Sequence, residues 1–98
     1  MEKFHTETTE KLFQAILLLE DIDECYSFYE DIFTVRELQD ISQRLLVAKM
    51  LRDKSSYQAI SKETGASTAT ISRVNRCLMY GSGGYNKILD KMYGTEEK

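Results

Sequence analysis

Apolar residues recur along this chain at steps of three and four, and no stretch alternates as a half-buried strand would. Leu12, Ile16 and Leu19, with Phe13 and Leu17 beside them, predict an amphipathic first helix over 7–20. Asp21-Ile22-Asp23-Glu24 then places a cap and an acid at the spacing of a helix start. A second helix is predicted there over 22–32, dense in Tyr26, Phe28, Tyr29, Ile32 and, just beyond it, Phe33. In Thr34-Val35-Arg36-Glu37 a hydroxyl and a carboxylate can satisfy free amides reciprocally, which opens a long third helix over 35–52. Leu38, Ile41, Leu45, Ala48 and Leu51 form its apolar stripe, and Asp53-Lys54 breaks it. Ser55 with Gln58 predicts the start of a short helix that ends at Thr64, where Gly65 supplies the left-handed residue. Ser67 can cap the next helix, over 68–79. Gly81-Ser82-Gly83-Gly84 reads as a loop and 85–93 as a terminal helix. The expected fold is all-α, with about six helices.

Length sets the scale of the core. Ninety-eight residues make one domain, 1–98, burying roughly two-thirds of the surface the unfolded chain exposes. Within it, 1–33 would serve association, 34–53 the long helix, 55–79 a helix pair and 85–93 the terminal helix. A hydrophobic fraction of 42% with 30% charged residues suits a soluble globule rather than a disordered chain. The longest aliphatic run, Ala15 to Leu19, is five residues, far short of the roughly 20 that span a bilayer. Met1-Glu2-Lys3-Phe4-His5 lacks the basic stretch and apolar core of a signal peptide, so none is expected. Cys25 and Cys77 lie far apart with no CxxC, which argues against a disulfide framework or zinc cluster and points to a reducing cytoplasm.

Charge is distributed unevenly. Residues 1–48 carry 4 basic and 11 acidic side chains, whereas 49–80 carry 6 basic against 2 acidic. The middle third is therefore the part able to approach a polyanion, because field at a surface follows local charge.

Residues 57–76 form a constellation of their own. Two short helices flank a turn at Gly65, which tolerates positive φ. Ile60, Ala66, Ile71 and Val74 are expected at their contact, with Thr64 the polar exception. Ser67, Thr68, Ala69, Ser72, Arg73 and Arg76 would face outward, opposite the Ile71-Val74-Leu78 stripe. This is the layout of a helix-turn-helix. Short residues at the start of the second helix let its backbone approach a major groove, and its N-terminus favours a phosphate. Arg73 can place its fork on guanine O6 and N7 or on a phosphate, while Arg76 is assigned to the DNA backbone. Lys54, Gln58 and Lys62 flank the first helix of the pair as candidate phosphate contacts. Double-stranded DNA is the expected partner.

The remaining chemistry is sparse. His5 is the single histidine, in a terminus expected to fray, and is read as a bystander. No paired thiols or organised carboxylates accompany it, so neither a metal, a cofactor nor enzymatic activity is expected. Asp21, Asp23 and Glu24 fit helix capping rather than a cation loop. The glycine-rich loop has no preceding strand and no following GK[ST], and is read as a connection. Cys25 is expected as a buried small apolar residue.

The run Gln58 to Arg73, above all Gly65-Ala66-Ser67-Thr68-Ala69-Thr70-Ile71-Ser72-Arg73, resembles the DNA-reading region of the Trp repressor family. Thr34-Val35-Arg36-Glu37-Leu38 resembles the start of that family's long helix, and the likeness is greatest to its YerC/YecD-type branch. The resemblance implies a six-helix subunit in an intertwined homodimer, with two reading heads entering successive major grooves. It also implies DNA contacts at Tyr57, Gln58, Thr68, Ala69 and Ser72. For an effector it implies Thr34, Arg44, Arg73 and Cys77, but with departures. Val74 stands where the family's glycine leaves room for an indole, Cys77 replaces a hydroxyl residue, and Arg44 is displaced by one position. Tryptophan is therefore not the expected effector.

The sequence thus predicts a homodimeric, sequence-specific DNA-binding transcriptional regulator, with repression the expected outcome, acting on a near-palindromic operator. Two rivals stay open: a helical adaptor without DNA specificity, and a regulator gated by an unidentified small molecule.

Overall fold

The computed structural model describes residues 2–95, and among these the secondary structure is entirely helical. A 3-10 turn at Glu2–Phe4 precedes α1 (Glu7–Ile16), α2 (Ile22–Ile32), α3 (Val35–Arg52), α4 (Tyr57–Thr64), α5 (Thr68–Tyr80) and α6 (Gly84–Tyr93). The chain forms two compact units, one running to Arg36 and the other beginning at Glu37.

Local signals set the helix ends. In the first unit, the Thr6 hydroxyl caps α1 by accepting from the Thr9 amide at 3.1 Å. Asp21 caps α2, accepting from the Glu24 amide at 2.8 Å, while the Glu24 carboxylate accepts from the Glu20 amide at 2.9 Å. The first bond satisfies a donor the helix start would leave bare, and the second ties the residue before the cap to the first turn. Helix α1 ends at Ile16 rather than near 20, because Leu17 to Leu19 peel off in a tight turn with bonds to Phe13, Ala15 and Ile16. The aromatic content of α2 clusters locally, with Tyr29 5.7 Å from Phe28 and 5.4 Å from Phe33 between ring centroids. No residue of α1 or α2 is buried, and Cys25 is only half-buried, not the core residue expected. Thirty-odd residues with no buried position of their own cannot supply a core there.

The second unit has a core. Val47, Ala48, Ile60, Ala66, Ile71, Val74 and Leu89 are buried, with Leu45, Met50, Leu51, Leu78 and Tyr85 packed against them. All four contact positions expected of the helix pair are among the buried residues. The burial on α3 lies at Val47 and Ala48, so the expected stripe holds only for its C-terminal half, and Ile41 stays 45% exposed. Lys54 turns the chain after α3 through a left-handed backbone, φ 69°. The cap of α4 is Ser56, whose hydroxyl accepts from the Ala59 amide at 3.1 Å, and not Ser55. The Ser55 amide instead donates back to the Met50 carbonyl, closing the end of α3.

Helix α6 is fastened by side chains. Asn86 donates to the Leu78 carbonyl at 3.1 Å, one of the last-turn acceptors of α5 that the helix itself leaves unpaired. Arg52 donates to the Asn86 carbonyl at 3.2 Å and pairs with Asp90 at 2.9 Å. The helix starts at Gly84, one residue before the expected Tyr85. Gly81 is required by space: a Cβ there would lie 2.5 Å from the Cys77 carbonyl oxygen that closes α5.

Candidate nucleic-acid interface

Helices α4 and α5 pack together across a three-residue turn, Gly65 to Ser67. Gly65 takes φ 77°, a conformation costing a side-chain-bearing residue roughly 1 kcal/mol or more. Thr64 earns its place as the polar exception at the contact. Its hydroxyl donates to the Ile60 carbonyl at 2.7 Å and accepts from the Ala66 amide at 3.0 Å. Ser67 then caps α5, accepting from the Thr70 amide at 3.1 Å. The amides of Thr68 and Ala69, in the first turn of α5, have no acceptor within the helix and point along its axis toward the N-terminal side. That end of α5 carries the positive pole of the helix dipole.

Every DNA-contact residue expected from the sequence is exposed: Lys54, Tyr57, Gln58, Lys62, Ser67, Thr68, Ala69, Ser72, Arg73 and Arg76. On α5 the buried Ile71 and Val74 occupy one side, so Ser72, Arg73 and Arg76 stand away from the core. The six cations of 49–80 divide by role. Lys49 bonds both carboxylate oxygens of Asp53 at 2.8 Å and lies 4.7 Å from the Tyr93 ring centre, and Arg52 is held by Asp90. Among the described residues, Lys54, Lys62, Arg73 and Arg76 take part in no ion pair and remain available to a polyanion.

A second feature lies behind this surface. Arg44 and Cys77 line a depression of about 480 Å³ together with Ile41, Leu45, Tyr85, Ile88 and the Gly81–Gly84 loop. Burial pushes the Tyr85 phenol above its ordinary pKa of 10.0; Cys77 adds to the shift, and the Arg44 and Arg73 cations oppose it. Three of the four residues named for an effector thus gather about Tyr85, while Thr34 belongs to the first unit. Tyr85 itself was not visible as a site residue in the sequence, since a lone aromatic at a helix start signals packing. No described group of His, Cys, Asp and Glu could hold a metal, and no described helix is long and apolar enough to cross a membrane.

Comparison with known proteins agrees with this geometry. The family model described as Trp repressor protein matches residues 7–93. YerC of Bacillus subtilis (strain 168) is 49% identical over 96 residues, covering 98% of this chain and 92% of its own. A TrpR-like protein from Eubacterium eligens superposes with a TM-score of 0.93 at 50% identity, over 99% of this chain and 100% of that one. A candidate Trp repressor from Staphylococcus aureus gives 0.91 at 49%, over 98% and 96%. Six α-helices among the described residues, a glycine-hinged helix pair and a family match over nearly the whole chain converge: this protein belongs to the Trp repressor family.

Proposed function

We propose that this protein is a transcriptional repressor that binds a near-palindromic DNA operator as a homodimer, reading bases with α5. The observation that carries the reading is the exposed side of residues 54–76, where four cations without ion-pair partners among the described residues accompany a helix start built of Ser67, Thr68 and Ala69. Phosphate contacts from Lys54, Lys62 and Arg76 would supply affinity, and Ser67 to Arg73 the discrimination. Tyr57 and Gln58, in the first turn of α4, stand where they can fix the head on the backbone. The homodimer is favoured by the first unit, where the turn between α1 and α2 leaves Leu17 83% and Leu18 77% exposed. Apolar surface of that kind marks an association site. Two-fold symmetry would set half-sites about 34 Å apart, or a multiple of it. Solution in the cytoplasm, with no cofactor, is the setting this reading requires.

Selecting bound sites from a random DNA pool tests it. Enrichment of a two-fold symmetric sequence is expected; a pool with no preferred sequence would leave a helical adaptor as the function. One observation favours an added effector: the depression beside Arg44 and Cys77, whose cation and apolar walls suit a small amphipathic anion. Tryptophan fits this chain poorly. Val74, which replaces the family's glycine, is buried in the core, and Cys77 offers a thiol in place of a hydroxyl. Thermal shift on adding tryptophan is expected to be absent.

A further inference from the structure

Gln43 sits on α3, half-buried, 21 residues before the turn of the helix pair. Its side-chain amide donates to the main-chain carbonyl of Thr64 at 3.0 Å. The orientation is not interchangeable: a carbonyl only accepts, so the NH2 group must face it. Thr64 is the last residue of α4, and its carbonyl has no partner within the helix. Immediately after it come Gly65, at φ 77°, and Ala66, whose amide is held by the Thr64 hydroxyl. The bond therefore falls at the one point where the chain swings from α4 into α5.

Burial of Ile60, Ala66, Ile71 and Val74 holds the pair against the core but is non-directional, and does not by itself fix the height of the turn on α3. A hydrogen bond is directional. We propose that Gln43 is a positioning residue of the reading head, setting the aim of α5 by anchoring the Thr64 carbonyl to α3. The inference rests on the DNA-reading function proposed above. Base contacts need side chains placed to a fraction of an ångström, whereas phosphate attraction tolerates displacement. Loss of the anchor should therefore reduce discrimination and leave general affinity intact.

The test uses the full chain and the DNA selected by the wild type. Gln43→Leu removes the donor at similar volume, and Gln43→Glu keeps the shape but presents an acceptor to an acceptor. Both are expected to lower the ratio of preferred to random DNA affinity by roughly tenfold, the worth of one hydrogen bond. Binding of the Leu variant to random DNA should be unchanged, while the negative charge that Glu adds acts on both DNAs alike and leaves the ratio as its readout. Gln43→Lys, which restores a donor, should recover much of the ratio, and its added charge acts on both DNAs alike. Amide hydrogen exchange gives a readout without DNA: Ala66 and Ser67 should exchange faster in the Leu and Glu variants, with Val47 and Ala48 unaltered. An unchanged ratio in both variants, an equal loss on both DNAs, or unfolding of both chains would overturn the assignment. A wild type with no preferred DNA would instead remove the reading function, and the exchange pattern would then decide the anchor alone.

Discussion

Arg73 stands at the junction of two environments, exposed on α5 toward the proposed groove yet close enough to Tyr85 to act on its phenol. If its guanidinium reads a base, Arg73→Ala should cost about 1–3 kcal/mol on preferred DNA and much less on random DNA. Competition binding of the two DNAs checks this, and equal losses would reassign Arg73 to the phosphate backbone. Tyr85 gives a prediction in pH. The folded chain holds the phenol proton more tightly than the unfolded chain, because burial disfavours the phenolate. Its contribution is complete below the unfolded value of about 10 and is lost as pH rises through the raised folded value. Urea midpoints of wild type and Tyr85→Phe should keep a constant separation from neutral pH upward. In strongly alkaline solution the separation should move against the wild type; a separation constant throughout would place the phenol in water.

Among the elements, helix α4 separates what spacing can and cannot specify. Ser55 and Ser56 are adjacent hydroxyls, both at a defensible distance from later polar residues, and only backbone geometry distinguishes them. Ser56 has the extended conformation of a cap, φ −72° and ψ 158°, whereas the Ser55 amide is committed to the end of α3. Ser56→Ala should therefore destabilise by about 1 kcal/mol, and Ser55→Ala by much less. Thermal or urea unfolding of the two variants measures the difference; equal costs would move the cap. Helix α3 carries the same lesson in its packing. Its periodic stripe was legible, but which half of that stripe is covered depends on α4, α5 and α6 arriving at Val47 and Ala48.

For the whole molecule, two consequences follow from the contrast between the units. Leu17 and Leu18 are among the most exposed apolar side chains of the described residues, in the turn between α1 and α2, neither of which buries a residue. Leu17→Glu with Leu18→Glu should shift sedimentation from dimer toward monomer and weaken operator binding, since one head alone makes half the contacts. Unchanged sedimentation would show that association lies elsewhere. Salt dependence reports the phosphate contacts. If Lys54, Lys62 and Arg76 each neutralise one phosphate in both protomers, log affinity should fall against log salt with a slope of about −5. A slope near zero would remove the electrostatic basis of the reading.

Periodicity, capping spacing and a glycine at the left-handed turn between α4 and α5 determined from sequence the number of helices, their order and the exposed side of 57–76. These are local properties, settled within a few residues by sterics and hydrogen bonding. Tertiary structure alone decided which cations are held internally, as Lys49 and Arg52 are, and which take part in no ion pair among the described residues. It alone brought Gln43 to Thr64 and gathered Arg44, Cys77 and Tyr85 around one depression. Gln43 lies 21 residues from Thr64 and Arg44 41 from Tyr85, and only packing of whole helices selects one long-range pairing from the many that the spacing of residues permits.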